Sequence, residues 1–549
     1  MSDAPNIEPS PPRATEGDAG GAERKKLSAQ VGAVVFGRIA VSLIDTMKAF
    51  LLVRLLTKDD YGALAFALTW QATAIGLGVL GLPDSLMYFL PPAKPGVQRN
   101  LVRQTLLLLG GIGLLIGGII AVLALIPGIQ PFARPDMTPA LLCIAFSVAL
   151  DLPSSALQQF LLGTERHRAS SLIAMAMSLL ANLSLLIPAW LGASLVEILS
   201  VYVFVAVARF SVTWGAWLRV FRDVPPEPFD GGVAAQLKFA LPLSLNGLAG
   251  LVNKYFSTYV VGWLLTASAF ADFAIGGREL PFVMMIPNAV AVAILPQLAK
   301  LSADIGGQPG VSGSGEVNSA GRSQALKLWH ASIERVALIM LPICIFIEID
   351  AEPLMQVLYG GKYLSAALPL RITSAVLLLR VTGYGVMVMA LGRPATILRS
   401  QLAGMAFNVL ATLPLVAWVA YGGAAAPDSA ARIAWACLAS AIAVYVIVAV
   451  MLVDIGKVLG VGLRGAFPWP GYVRRLSLAV LAGVPVVIWR VWAGDPVDPW
   501  WLAAATAGQL LVYAGGYAGL VLASGFVPSE DRAVLVSWLK LEPLWKKSS

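Results

Sequence analysis

Apolar runs follow one another along this chain with only short polar breaks between them, and the runs share a common length. A hydrocarbon layer about 30 Å thick takes about 20 apolar residues per helical crossing. Fourteen such stretches are present, near 31–53, 61–82, 102–126, 139–162, 170–191, 195–218, 237–263, 271–298, 327–347, 364–391, 396–420, 430–453, 475–493 and 500–523. Numbered as spans one to fourteen, they predict an all-α polytopic membrane protein.

The polar stretches divide the chain. Residues 1–26 carry Pro, Gly, Asp and Glu with almost no bulky apolar side chains, so they cannot bury a core and are expected to be a disordered tail. They do not read as a signal peptide, because the apolar run that follows is too long and leads directly into another. The expected order is then a first lobe at 27–222 with spans one to six and a second lobe at 236–453 with spans seven to twelve. A Gly- and Ser-rich cytoplasmic linker, 302–323, lies within the second lobe. Two appended spans at 474–525 and a cytoplasmic tail at 526–549 complete the chain.

Composition agrees with the pattern, at 58% hydrophobic and 13% charged residues. Charge supplies orientation. With the N-terminus inside, and cations within three residues of a span end counted with the adjoining loop, the cytoplasmic segments hold 25 of the 39 Lys and Arg, the outer loops 6 and the span interiors 8. Cytoplasmic loops collect basic residues in this way. An even number of spans places both termini in the cytoplasm. The net charge of +8 mostly reports topology, and no nucleic-acid partner is implied. The three cysteines have no paired spacing, so neither a disulfide framework nor a metal site is predicted. No nucleotide-binding or hydrolytic motif stands out. The polar residues lie within the spans, which favours a transporter over an enzyme.

Those eight intramembrane cations are Arg38, Lys48, Arg209, Lys254, Arg278, Arg335, Arg371 and Arg380. A basic side chain at the bilayer centre costs about 2.5–3.5 kcal/mol even on the insertion scale, so several of them must line a polar cavity. Arg38, Lys48, Lys254, Arg278 and Arg380 are assigned to that cavity. Arg335 and Arg371 lie near span ends and are expected to snorkel to the interface. Arg209 is expected to be either a cavity residue or a partner of Glu197 or Asp151. Asp45 shares a helical face with Arg38 and Lys48 and is the candidate for ion coupling or gating. Asp84, Asp151, Asp272 and Glu279 are read as structural partners.

An internal repeat is also suggested. Leu55-Leu56-Thr57 has a counterpart at Leu264-Leu265-Thr266, and the offset of 209 residues carries spans one and two onto seven and eight. It sets Asp45 opposite Lys254, which predicts that the two meet across the cavity in one state. Six spans per half fit a parallel repeat about an axis along the membrane normal.

Three sequence pieces then resemble a known family. They are Arg54-Leu55-Leu56-Thr57-Lys58-Asp59-Asp60-Tyr61-Gly62, the segment Phe239-Ala240-Leu241-Pro242 through Gly277-Arg278-Glu279-Leu280-Pro281, and Leu358-Tyr359-Gly360-Gly361-Lys362-Tyr363 to Leu391-Gly392-Arg393-Pro394. In that order they look like Wzx-type polysaccharide flippases of the multidrug/oligosaccharidyl-lipid/polysaccharide exporter superfamily, over about residues 27–525. The linker after span eight is longer than the family leads one to expect. The resemblance implies two six-helix lobes in a V around a central cavity, with two appended C-terminal helices. It implies flipping of a polyprenyl-diphosphate-linked oligosaccharide across a bacterial inner membrane, alongside membrane lipids and polysaccharide polymerase and assembly proteins. No cofactor is implied beyond a proton gradient, a sodium gradient or the membrane potential. A basic cavity suits a diphosphate, because Arg binds phosphate oxygens bidentately. A lipid II flippase or a multidrug antiporter of the same superfamily remains an alternative.

Overall fold

The structure, a computed structural model, describes residues 41, 43–126, 131–277, 281–303, 319–421, 429–494 and 498–525. Both predicted tails and most of the linker lie outside the described residues, as do Arg38, Arg278 and Glu279. Among the described residues there is helix and no strand. Seven helices among the described residues are long and apolar enough to cross a membrane by length and composition, or eight when Lys58–Gly78 and Leu82–Phe89, bent by 45° at their junction, count as one. The described parts of the remaining predicted stretches fall mainly on helix, so the helical class holds, while the number fourteen stays a reading of the sequence.

Local chemistry explains where these helices begin. Thr57 caps Lys58–Gly78 by accepting from the Asp60 amide, at 3.2 Å. Ser194 and Glu197 form a reciprocal capping box at the start of Leu195–Val220. Asp498 accepts from the amides of Trp500 and Trp501 to open Pro499–Ser524. Glu197 is thereby committed to its own helix, and Arg209 finds Asp151 instead. Large apolar side chains such as Leu114, Leu115 and Phe204 stand exposed on the outside of the bundle, as a lipid-facing surface requires. Trp492 and Trp500 are 88% and 86% exposed around the turn between the last two helices, where an interfacial aromatic belt is expected.

The repeat has a structural counterpart. Thr266 caps Ala267–Gly276 just as Thr57 caps its helix, so the 209-residue offset superposes two threonine caps. Each half also ties its first helix to its fifth through an asparagine. Asn182 Nδ2 donates to Asp45 Oδ1 at 2.9 Å, and Asn408 Nδ2 donates to the Asn253 carbonyl at 2.7 Å and to Asn253 Oδ1 at 3.1 Å.

The buried core forms two clusters. One fills the first half and continues into the second through Val261, Phe270 and Tyr363. The other lies within the second half and takes in Tyr472, Ala479, Tyr513 and Tyr517 of spans thirteen and fourteen, so the appended pair is packed into that half.

Candidate functional site

The two halves meet along spans two, seven and eight. Their tightest meeting lies at the end of the bundle that carries the turns after spans one, seven and nine, called the outer end after the charge bias. There the sequence places small residues on facing helices: a Cβ on Gly62 would stand 1.9 Å from the Ala267 carbonyl oxygen. Backbone meets helix backbone at that crossing, leaving no room for a side chain. One turn further along, aromatic rings fill the seam. Phe66 and Phe270, both fully buried, sit 5.1 Å apart, and Phe66 also contacts Phe132 at 5.2 Å and Tyr259 at 6.0 Å. Trp70 packs edge-on to Tyr259 at 5.3 Å. The ring of Phe66 occupies the space a Cβ on Gly262 would need, 2.1 Å away.

Ionic contacts cover this aromatic wall. Lys58 Nζ lies 2.8 Å from Asp272 Oδ2 across the seam, with side-chain exposures of 20% and 2%. Ser365 Oγ donates to the same carboxylate oxygen at 2.6 Å and accepts from Lys58 at 3.0 Å. Two further cations cross the seam to carbonyl oxygens: Arg54 to Val357 and Lys362 to Leu56, each at 2.6 Å. Burial pulls the Lys362 ammonium below the usual lysine range. Arg134 holds the adjacent corner through Asp136 at 2.7 Å and Asp60 at 2.8 Å. The hydrogen bond to Asp136 raises its already high pKa, against the opposing effect of burial and with help from Asp60.

The opposite end is joined by neutral groups. Gln236 donates to Ser85 at 2.9 Å and to Thr105 at 2.7 Å and accepts from Gln104 at 3.0 Å, while Tyr88 stacks on Phe239 with ring centroids 4.6 Å apart.

Below the outer seal stand the polar residues that the sequence singled out. Asp45 is nine residues from Arg54 on one continuous helix, about 13 Å along its axis. Its carboxylate is 51% exposed, 3.8 Å from Lys48 Nζ, and accepts from Asn182. Ser178 lies at 3.5 Å from the same oxygen. Asn182 is 2% exposed and its Oδ1 has no hydrogen-bond partner. Lys254 is exposed, with its ammonium 4.9 Å from the Tyr255 ring centroid. Asp45 and Lys254 form no ion pair in this conformation. A charge exposed at that depth requires water or a polar ligand beside it rather than lipid.

Arg380 has a different setting. The tenth span breaks between the short helices Val376–Leu378 and Tyr384–Ala390, and Arg380 lies in the break, half-buried. An unwound segment at membrane depth is tolerated where it is buried in protein or lines a cavity. The structure thus brings Asp45 and Lys48 together, and sets Lys254 on another helix and Arg380 on a third.

One ionic feature escapes sequence reasoning. Lys58 lay within a quoted motif without being singled out, and its partner Asp272 is 214 residues away, a pairing no local spacing announces. Arg209 binds Asp151 at 3.1 Å, with Gln71 donating to the other carboxylate oxygen at 2.6 Å, which places it inside the first half rather than in a cavity. Arg371 pairs with Glu352 at 2.8 Å and reaches the Glu348 carbonyl instead of extending alone into the interface. Among the described residues no group of His, Cys, Asp and Glu has the arrangement of a metal site.

Comparison with known proteins fits this architecture. A family model described as polysaccharide biosynthesis protein matches residues 27–302. The lipid II flippase MurJ in its inward closed conformation is similar with a TM-score of 0.61 at 12% identity, over 89% of this chain and 97% of that one. An inward-facing multidrug resistance MATE family transporter of the MOP superfamily is similar with a TM-score of 0.52 at 16% identity, over 76% and 95%. At these identities the likeness shows a shared fold. No curated protein sequence matches the chain.

Proposed function

We propose a transport reaction for a chain that belongs to the polysaccharide biosynthesis protein family. It moves a polyprenyl-diphosphate-linked oligosaccharide from the cytoplasmic to the periplasmic leaflet of a bacterial inner membrane, by alternating access, with both termini in the cytoplasm. One observation carries the reading. The seam between the halves is shut at its outer end by an ion pair over an aromatic wall, and exposed charged groups stand just beneath that seal. A solute held there is cut off from the outside until the seal parts. Exposed Lys254, with the partly exposed Lys48 and Arg380, suits a diphosphate, which must exchange its hydration for fixed positive charge and donors as it crosses.

Asp45, Ser178 and Asn182 supply oxygens for the coupling step. Either a proton on Asp45 or a sodium ion taking the unpartnered Asn182 Oδ1 would loosen the contact of Asp45 with Lys48. A second reading, lipid II transport, is favoured by the TM-score of 0.61 to the MurJ structure and uses the same diphosphate chemistry. A multidrug antiporter is less suited, because cationic cargo requires an acidic cavity. Polysaccharide polymerase and assembly proteins are the expected partners downstream.

The test is reconstitution in proteoliposomes with a fluorescent polyprenyl-diphosphate saccharide and, separately, fluorescent lipid II, each assayed for protection from an external reductant. Wild-type protein is expected to move the first. Lys254→Ala and Arg380→Ala are each expected to slow it about tenfold or more, the loss of one charge-assisted hydrogen bond at about 1.5–3 kcal/mol. Transport of lipid II alone would assign the second reading. Transport of neither would remove both.

A further inference from the structure

Spans nine and ten, in the second half, are both interrupted, and each interruption releases backbone carbonyls from their regular helical donors. Ser319–Tyr359 contains Pro342 and Pro353, so the carbonyls of Leu338 and Ile349, four residues earlier, have no amide to accept from. The break after Leu378 leaves the carbonyls of Leu378 and Leu379 without such an amide, and Ala375, which opens the tight turn Val376–Leu378, without its i+4 partner, because the Leu379 amide turns to Val376. In a bilayer such groups need partners from neighbouring helices. All five are met by side chains. Tyr517 donates to Leu338 O at 3.0 Å and Arg490 to Ile349 O at 2.7 Å. Tyr445, Tyr472 and Tyr384 donate to the carbonyls of Ala375, Leu378 and Leu379, each at 2.6 Å.

Three of those five donors, Tyr472, Arg490 and Tyr517, come from spans thirteen and fourteen. Arg490 also binds Glu352 at 3.0 Å, the carboxylate that Arg371 of span ten binds, so one acidic residue clamps spans nine, ten and thirteen. Tyr513 adds a bond to the Ala479 carbonyl that ties the appended pair together, at 3.1 Å. The pair therefore contacts the second half at the places where spans nine and ten depart from helical geometry.

We propose that spans thirteen and fourteen are a brace that holds those two helices interrupted, with Tyr472 as the positioning residue for the segment 379–383 that presents Arg380, and Arg490 and Tyr517 holding the two kinks of span nine against which that segment packs. The role given to Arg380 rests on the transport reading; the bracing itself does not. Tyr384 and Tyr445 cap the same break from within the second half, so removing the appended caps loosens the segment without unfolding it.

The experiment uses the full-length chain in lipid nanodiscs. Tyr472→Phe with Tyr517→Phe deletes two hydroxyls and keeps both rings. In a background lacking the native cysteines, a cysteine at Thr382 reports the break, and one at Thr69, buried in the first half, is the reference. The double variant is expected to label about tenfold faster at position 382, as the loss of one buried acceptor's partner allows, with labelling at 69 unchanged. Saccharide transport is expected to fall by a similar factor at normal abundance, and Arg490→Lys to retain more transport than Arg490→Met. If the double variant is lost from the membrane, Tyr472→Phe alone, which removes the one appended hydroxyl that reaches the break, carries the same expectation at smaller size. Labelling at 382 as slow as in the parent, or equally accelerated at 382 and 69, would overturn the brace. Fast labelling confined to 382 in a chain whose wild type moves no lipid-linked saccharide would keep the brace and discard the transport reading.

Discussion

Gly62→Ala is expected to part the two halves at their outer end, and Gly62→Leu to hold them apart. The added Cβ falls 1.9 Å from the Ala267 carbonyl oxygen and 3.3 Å from the Ala271 amide nitrogen, so the obstacle is backbone on a facing helix rather than the tip of a side chain that can rotate away. Overpacking of a tight contact costs about 1–3 kcal/mol, and a leucine at a backbone crossing belongs at the upper end. About 3 kcal/mol moves the balance between shut and open seams by about a hundredfold. A cysteine at Phe270, which is fully buried behind the crossing, then becomes reactive to an impermeant thiol reagent added outside. Transport is expected to stop, because a carrier held open on one side cannot complete its cycle. An unreactive cysteine at 270 in a well-expressed Gly62→Leu protein would show that the crossing is not the closure.

Much of the fold is legible in the sequence, because period and length are local properties. Each apolar run reports its own helix, and the threonine caps at 57 and 266 are visible as matched tripeptides. The breaks are less so. Pro342 and Pro353 announce kinks, but the interruption of span ten carries only the weak signal of Gly383 and Gly385, and it depends on hydroxyls arriving from Tyr445 and Tyr472, more than 60 residues onward. The candidate site divides in the same way. A charge in an apolar run is conspicuous, so Asp45, Lys48, Lys254 and Arg380 were all singled out. Whether such a charge faces a cavity or a partner is a tertiary fact. The sequence leaves Arg209 either role, and the structure binds it to Asp151. Asp272 was read as structural, and its partner proved to be Lys58 on the other half, which makes the pair part of the closure. The asparagines that clasp spans one and seven carry a weak signal, a single asparagine in the fifth apolar run of each half, visible only once the repeat is accepted.

Breaking the Lys58–Asp272 pair and replacing it are expected to stop transport from opposite sides. Lys58→Ala leaves Asp272, 2% exposed, with Ser365 and no cation, and stranding one partner of a buried pair costs about 3–5 kcal/mol. That cost falls on the shut state, since on parting Asp272 regains water. The seam should open, and a cysteine at Phe270 should react with the external reagent. Replacing both partners by apolar residues, Lys58→Met with Asp272→Leu, removes the charges together. Exchanging a buried pair for well-packed apolar side chains is often neutral or stabilising by about 1–4 kcal/mol. The shut state then loses nothing, whereas the open state must expose two apolar groups where it formerly hydrated two ions. This double variant should be stable, unreactive at position 270 and inactive. The charge swap Lys58→Asp with Asp272→Lys should recover part of the transport, limited by the longer lysine in the buried position. An outer seal of another kind predicts otherwise: if the ion pair were only surface decoration, all three variants would label and transport like the parent, and that result would place the closure in the aromatic wall alone.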